Sequence, residues 1–378
     1  MKYGVAIIGA GNIAKEHILG YLNLKDRCEI KAICDVYIDK AKSLAIENSL
    51  KVDIVDDYKL LLKRDDIDIV SICLPPSLHQ KVTCDFLKEN KNVLCEKPMA
   101  SSLNEAKLMI DQAEKSTALL SIVSQNRFKK SIMKVKQMLD SKIFGKIVYT
   151  RVNSMWYRGD NYYTLWWRGT WEKEGGGCTL NHSVHQIDLM GWLLGNPISI
   201  YSTIKNYLHA NSEVEDTSLS IIEFSNSIAQ LGVSLNDMDE KQEFFIQCEN
   251  ASIAIPWKIR CMKQKENGFP IRDEEKEKYY NNLYNELDEI EIEGHSAQIL
   301  NFINALDKKE DLIVSAQDGY KALEIITAIY KSSRLKELVH LPLKEDDEFM
   351  SKETIIKKMP RFYEKSKSVE NLKDGITL

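Results

Sequence analysis

Short apolar runs and amphipathic stretches alternate with a steady rhythm through the first third of the chain. Residues 5–8, 30–34, 67–74 and 93–95 are mostly apolar, and each run ends at a glycine, a proline or a charged residue. Runs so short and so apolar predict strands buried on both faces. Between them, Ala41, Leu44 and Ala45 fall on one helical face, and residues 78–90 read as a second helix. Ser102 with Glu105 offers a capping box for a third, reaching about residue 116. Residues 119–123 read as a further strand. This alternation predicts a doubly wound parallel sheet over residues 1–125.

The rhythm changes after Arg127. A helix near 131–141 precedes a long strand-like run at 147–156, and later strands follow one another without helices between them. Leu231, Val233 and Leu235 alternate with Gln230, Gly232 and Ser234, and Ile253 and Ile255 alternate with Ser252 and Ala254. A period of two is what an antiparallel sheet with one buried face requires. Helices predicted at 182–194, 296–307 and 316–332 would cover that face. The chain thus divides into a first domain, 1–125, a second α/β domain, 126–345, and a charged tail, 346–378, that reads as a strap or as disorder.

Length and composition fit this division, since 378 residues at 44% hydrophobic content suffice for two cores. A net charge of −5 and a pI near 5.9 argue against a nucleic-acid footprint, and the basic stretch 258–265 is too short to supply one. The eight cysteines are scattered without a C-x-x-C pair, so neither a zinc site nor a disulfide framework is expected, and no other metal site is. No run has the length of a membrane span, and the first residues lack a leader-like pattern. A soluble protein of the reducing cytoplasm is the expectation.

Gly9-Ala10-Gly11-Asn12-Ile13-Ala14 follows the first apolar run directly. Gly9 allows a tight turn, Gly11 leaves room for a pyrophosphate, and small Ala14 lets helix and strand pack closely. The second apolar run ends in Asp35, 24 residues after Gly11, near the spacing at which a carboxylate accepts from ribose hydroxyls. A dinucleotide site is the reading, with NAD preferred to NADP because Asp35 would repel a 2′-phosphate. Lys97 stands at the carboxyl end of a predicted parallel strand, the edge where such sheets place ligands. Asn181, His185 and Asp188 follow at i, i+4 and i+7 on one predicted helix, after Gly175-Gly176-Gly177. Residues 156–171 hold Trp156, Trp166, Trp167 and Trp171 with Tyr157, Tyr162, Tyr163, Arg158 and Arg168. Such a segment suits either a core or oligomer interface or a polyol pocket, with aromatic faces against sugar C–H groups and arginine forks on oxygens.

Taken in order, the glycine turn, Pro75-Pro76 with His79, Glu96-Lys97-Pro98, the 175–188 segment and the late stretch from Asp318-Gly319 to Ser332 resemble the Gfo/Idh/MocA oxidoreductase family. The resemblance implies an amino-terminal Rossmann domain and a carboxy-terminal α/β domain with a large open, mainly antiparallel sheet that packs against another subunit. A homodimer or homotetramer follows. It also implies NAD(P)-dependent oxidation of sugars, inositols or their derivatives. NAD would lie against Gly9, Gly11, Asn12, Ile13, Asp35, Leu74, Pro75, His79, Glu96 and Lys97. The sugar would meet Lys97, Arg127, Trp167, Arg168, Asn181 and His185. His185 would take the hydroxyl proton, Lys97 would hydrogen-bond the reacting oxygen, and Asp188 would orient the histidine or bind a hydroxyl. Many relatives carry an aspartate where this chain has Asn181, so no carboxylate–histidine pair forms at 181 and 185. The same resemblance also covers a redox-neutral glycosidase or lyase that oxidises a sugar transiently with tightly held NAD.

Overall fold

The computed structural model describes residues 2–370. Its first sheet is built from β1 (Tyr3–Ile8), β2 (Cys28–Cys34), β3 (Asp53–Val55), β4 (Ile69–Ile72), β5 (Asn92–Cys95) and β6 (Leu120–Ile122). All pairings are parallel, in the order β3-β2-β1-β4-β5-β6. Helices α1 (Asn12–Leu22), α2 (Ile38–Glu47), α3 (Pro76–Lys88) and α4 (Leu103–Glu114) make the crossovers. The strand order reverses between β1 and β4, which opens a crevice at their carboxyl ends. Ser102 caps α4 by accepting from the Glu105 N–H, while the Glu105 carboxylate returns to the Ser101 N–H, one residue earlier than a capping box requires.

After α5 (Lys130–Asp140) the chain enters a second, mixed sheet at β7 (Ile147–Met155). Helices α6 (Cys178–Asn181) and α7 (Val184–Leu194) precede β8 (Ser199–Lys205), β9 (Thr217–Glu223), β10 (Ile228–Ser234), β11 (Gln242–Cys248), β12 (Ser252–Ile255) and β13 (Lys258–Arg260). A small hairpin, β14 (Met262–Gln264) and β15 (Pro270–Arg272), leads to α8 (Glu274–Glu286), α9 (Gly294–Leu306), α10 (Ala316–Leu335), β16 (Val339–His340) and α11 (Lys352–Lys358). The eight-stranded order is β13-β12-β11-β7-β10-β9-β8-β16, antiparallel except where β7 meets β10. Leu231, Val233 and Ile253 point into the core on the face covered by α7 and α10. The other face is open, with Tyr201, Leu219 and Ile221 about half exposed.

Two expectations change. The helix foreseen at 296–307 does not cover the second sheet: α9 packs on α1, placing Ile299, Phe302 and Ile303 in the same cluster as Ile18 and Tyr21. Gly20 permits this, because a Cβ there would lie 2.4 Å from Ile299 Cδ1. The helix foreseen at 182–194 is α7, but Asn181 does not share it with His185 and Asp188. A break at His182–Ser183 puts Asn181 on α6. Within the tail, residues up to 370 form a strap over the aromatic segment: the Trp171 indole donates to the Pro360 carbonyl, and Val369 pairs with Leu165. Residues 371–378 of that tail lie outside the described residues. Among the described residues no helix is long and apolar enough to cross a membrane.

Candidate active site

The cofactor side of the crevice is made largely by backbone. Gly9 turns the chain at φ +99°, where its backbone lies so close to Cys73 that a Cβ would sit 2.4 Å from the Cys73 carbonyl oxygen. Gly11 precedes α1, and nothing lies within 4 Å of the point where a Cβ would stand. That open cradle sits where the first turn of α1, with Asn12 and Ile13, presents its positive end, so a pyrophosphate fits. Asp35, half-buried after β2, accepts from the Ala10 and Tyr37 N–H groups and is thereby fixed beside the turn.

Leu74 and Pro75 follow β4 on the rim of the crevice. His79, expected to touch the cofactor, is instead fully buried and braces that rim. Its ring nitrogens lie 2.7 Å from the Leu74 carbonyl oxygen and 2.9 Å from the Pro98 carbonyl oxygen. Glu96 is buried as well, with His17 Nε2 at 3.0 Å, His295 Nε2 at 3.5 Å and the Lys97 N–H at 3.1 Å. Burial opposes its ionisation, yet the two histidines hold the Glu96 carboxyl well below the usual range. His17 Nδ1 is in turn 3.0 Å from Ser71 Oγ. Glu96 therefore anchors the backbone of Lys97. His17 was legible as one of the buried positions of α1, in phase with Ala14, Ile18 and Tyr21, whereas α9 brings in His295 from far along the sequence.

Lys97 follows β5 at the carboxyl edge of the first sheet, His185 lies in the first turn of α7, and the Lys97 charge acts on the His185 ring. Burial lowers the Lys97 pKa. Burial and the Lys97 ammonium together depress His185 well below its ordinary 6.5, so the ring is neutral and ready to accept a proton. The Gly175–Gly177 run sets the position of α6. A Cβ on Gly176 would lie 2.1 Å from the Tyr330 hydroxyl oxygen, and one on Gly177 would lie 2.0 Å from the Glu215 carbonyl oxygen. The Glu215 carboxylate then accepts from the Gly177 and Thr179 N–H groups and from the Tyr330 hydroxyl, closing the N-terminus of α6. Asn181 spends its side-chain N–H groups on the Gly176 and Gly177 carbonyls.

Other expected substrate groups are engaged within the protein. Arg127 grips Asp188 through Nε at 2.9 Å and Nη2 at 2.6 Å, and also reaches Asp318 and the Ile313 carbonyl. Both members of the pair are buried, so the Asp188 carboxylate is bound by Arg127 and not turned to orient His185. Asp188 outweighs burial and holds Arg127 above its usual pKa. Arg168, 1% exposed, binds Glu174 at 3.0 Å and stacks on Tyr162 and Trp167. Burial pushes the Glu174 carboxyl up to about 7 against that arginine. Trp171 is fully buried, whereas Trp156 and Trp167 remain partly accessible. The sequence pattern missed His182, which packs between Trp156 and Tyr162.

A switch-point crevice with a glycine turn, facing a lysine and a neutral histidine, defines an NAD-dependent oxidoreductase. The chain belongs to the Gfo/Idh/MocA family: residues 3–124 match its oxidoreductase NAD-binding Rossmann fold, and residues 136–341 match its C-terminal alpha/beta domain. It is similar to D-glucoside 3-dehydrogenase of Escherichia coli (strain K12), 24% identical over 89% of this chain and 97% of that protein. It is also similar to inositol 2-dehydrogenase of Salmonella typhimurium, 23% identical over 92% of this chain and 99% of the relative. The WlbA dehydrogenase of Bordetella pertussis, solved with NADH and UDP-GlcNAcA, shares the fold at a TM-score of 0.77 and 24% identity, covering 91% of this chain and all of that one.

Proposed function

We propose that the protein oxidises a hydroxyl of a sugar, sugar derivative or inositol, with NAD as the hydride acceptor. The observation that carries this reading is that Lys97, on the same carboxyl edge of the sheet as the open cradle at Gly11, lies near enough to the half-buried His185 to help keep its ring neutral. Bound NAD supplies the acceptor for hydride leaving the carbon. His185 takes the hydroxyl proton, and Lys97 donates a hydrogen bond to the oxygen as it becomes a carbonyl. Arg127 and Asp188 brace α7 beneath His185, and Arg168 with Glu174 fixes Tyr162 and Trp167 along the sugar side.

The named relatives are a glucoside dehydrogenase and an inositol dehydrogenase, which supports net oxidation over the redox-neutral glycosidase reading. Screening glucosides and inositols with NAD, while following NADH, tests the proposal. A second copy of the chain covering the open face of the eight-stranded sheet completes the reading, since Tyr201, Leu219 and Ile221 are apolar and exposed there. Light scattering checks it, and a monomer mass removes it. The eight cysteines are free and buried, which suits a reducing cytoplasm.

A further inference from the structure

We propose that His182 is a specificity-determining residue, its Nδ1 forming a hydrogen bond with a sugar hydroxyl beside the carbon that is oxidised. The proposal rests on the functional reading above and adds a contact to it. Of the four buried histidines among the described residues, His17, His79 and His209 engage both ring nitrogens. His182 does not. It is 9% exposed, its Nε2 lies 3.3 Å from the Tyr162 hydroxyl, and its Nδ1 has no hydrogen-bond partner in the protein. A buried polar atom left so is destabilising unless a ligand satisfies it.

Arg168 stacks on the Tyr162 ring at 4.0 Å and so holds the phenol that faces His182 Nε2. A neutral imidazole has one donor and one acceptor nitrogen, and a sugar hydroxyl can pair with either, so Nδ1 is matched by a hydroxyl in both tautomers. Burial together with Arg168, Arg158 and Lys97 excludes the doubly protonated ring by holding its pKa well below 6.5. His182 stands three residues before His185, and the Lys97 charge reaches its ring, so it lies beside both reacting groups. Trp156 and Tyr162 flank it with their edges and faces, with ring centroids at 6.1 and 5.6 Å.

The test uses the full-length enzyme with NAD and methyl β-D-glucopyranoside, together with the 2-deoxy, 4-deoxy and 6-deoxy forms of that glycoside. His182→Phe keeps the packing and removes the polar nitrogen, while His182→Gln restores a group that can hydrogen-bond a hydroxyl. The expected result is a loss of about 10- to 100-fold in kcat/KM for His182→Phe on the parent glycoside. Wild type and variant should converge on one deoxy analogue alone, and His182→Gln should recover part of the loss. An equal ratio of wild type to variant on every analogue, or no loss at all, overturns the proposal. If wild type forms no NADH with any of these glycosides or with inositols, the functional reading fails first. The ring then answers separately: nitrogen-15 NMR of the histidine side chains should find the His182 Nδ1 signal displaced when the glycoside is added to the NAD complex, and an unmoved signal overturns the assignment.

Discussion

The two walls of the crevice recognise their ligands by different means. On the Rossmann wall, the recognition elements are backbone and empty space: a turn at Gly9, a vacant Cβ position at Gly11 and the first turn of α1. On the opposite wall, side chains do the work, and most are already bound to one another, as in Arg127 with Asp188 and Arg168 with Glu174. The difference teaches that residue type is enough to find the first wall but not the second. A glycine has one meaning in a strand-turn-helix, whereas an arginine near a pocket serves substrate only if no carboxylate has claimed it.

The largest effect is expected at the group left without an acid partner. His185→Ala should lower kcat by roughly 100-fold or more while NAD binding, followed by fluorescence titration, stays intact. Near-normal turnover would move proton transfer to another residue. By contrast, Asp188→Asn removes the closer of the two carboxylates on buried Arg127 and leaves Asp318 alone, so it should cost about 3 kcal/mol of stability, read as a lower denaturant midpoint. A variant that keeps its stability yet loses kcat would instead make Asp188 a direct participant in the reaction.

On the cofactor wall, Asp35→Ser should narrow the ratio of kcat/KM for NAD over NADP by about 10- to 100-fold, because the like-charge repulsion removed is worth a few kcal/mol. An unchanged ratio would free Asp35 of that role. The pH profile offers a smaller effect with a fixed sign. His185 must be neutral to accept the proton, and its pKa lies below 6.5, so the acid limb of kcat/KM should fall below pH 6.5. Lys97→Met removes a cation that depresses His185, so on the residual activity that limb should move to higher pH. Smallest of all is a null effect. Arg168→Lys should change KM for a uronate and for the matching neutral sugar alike, since Arg168 is buried with Nη1 on Glu174 and its plane stacked on Tyr162 and Trp167. A selective rise for the uronate would return Arg168 to the pocket.

The first sheet was legible because parallel strands buried on both faces leave short, unmixed apolar runs between amphipathic helices. The second sheet was legible from the alternation at Leu231, Val233 and Leu235, since its open face keeps a period of two. Amphipathic period revealed α9 but not its partner, because Ile299, Phe302 and Ile303 would suit either sheet. Only Gly20, a glycine inside α1, hinted at a close neighbour. The break between α6 and α7 carries neither proline nor glycine, so nothing local marked it. The pairing of Arg127 with Asp188 spans 61 positions and depends on the tertiary fold. Lys97 and His185 stand in motifs visible in the sequence, whereas His182 does not, since its missing partner is shown by packing alone.

The central claim is that hydride leaves the sugar for good and the proton leaves through His185. Its most direct measurement combines the purified enzyme with excess NAD and a glucoside or inositol, and counts NADH against enzyme subunits. Many equivalents of NADH per subunit, with an oxidised sugar in matching amount and a rate collapsed in His185→Ala, is the predicted result. Cleavage of a glycosidic bond with no more than one equivalent of NADH per subunit would contradict it.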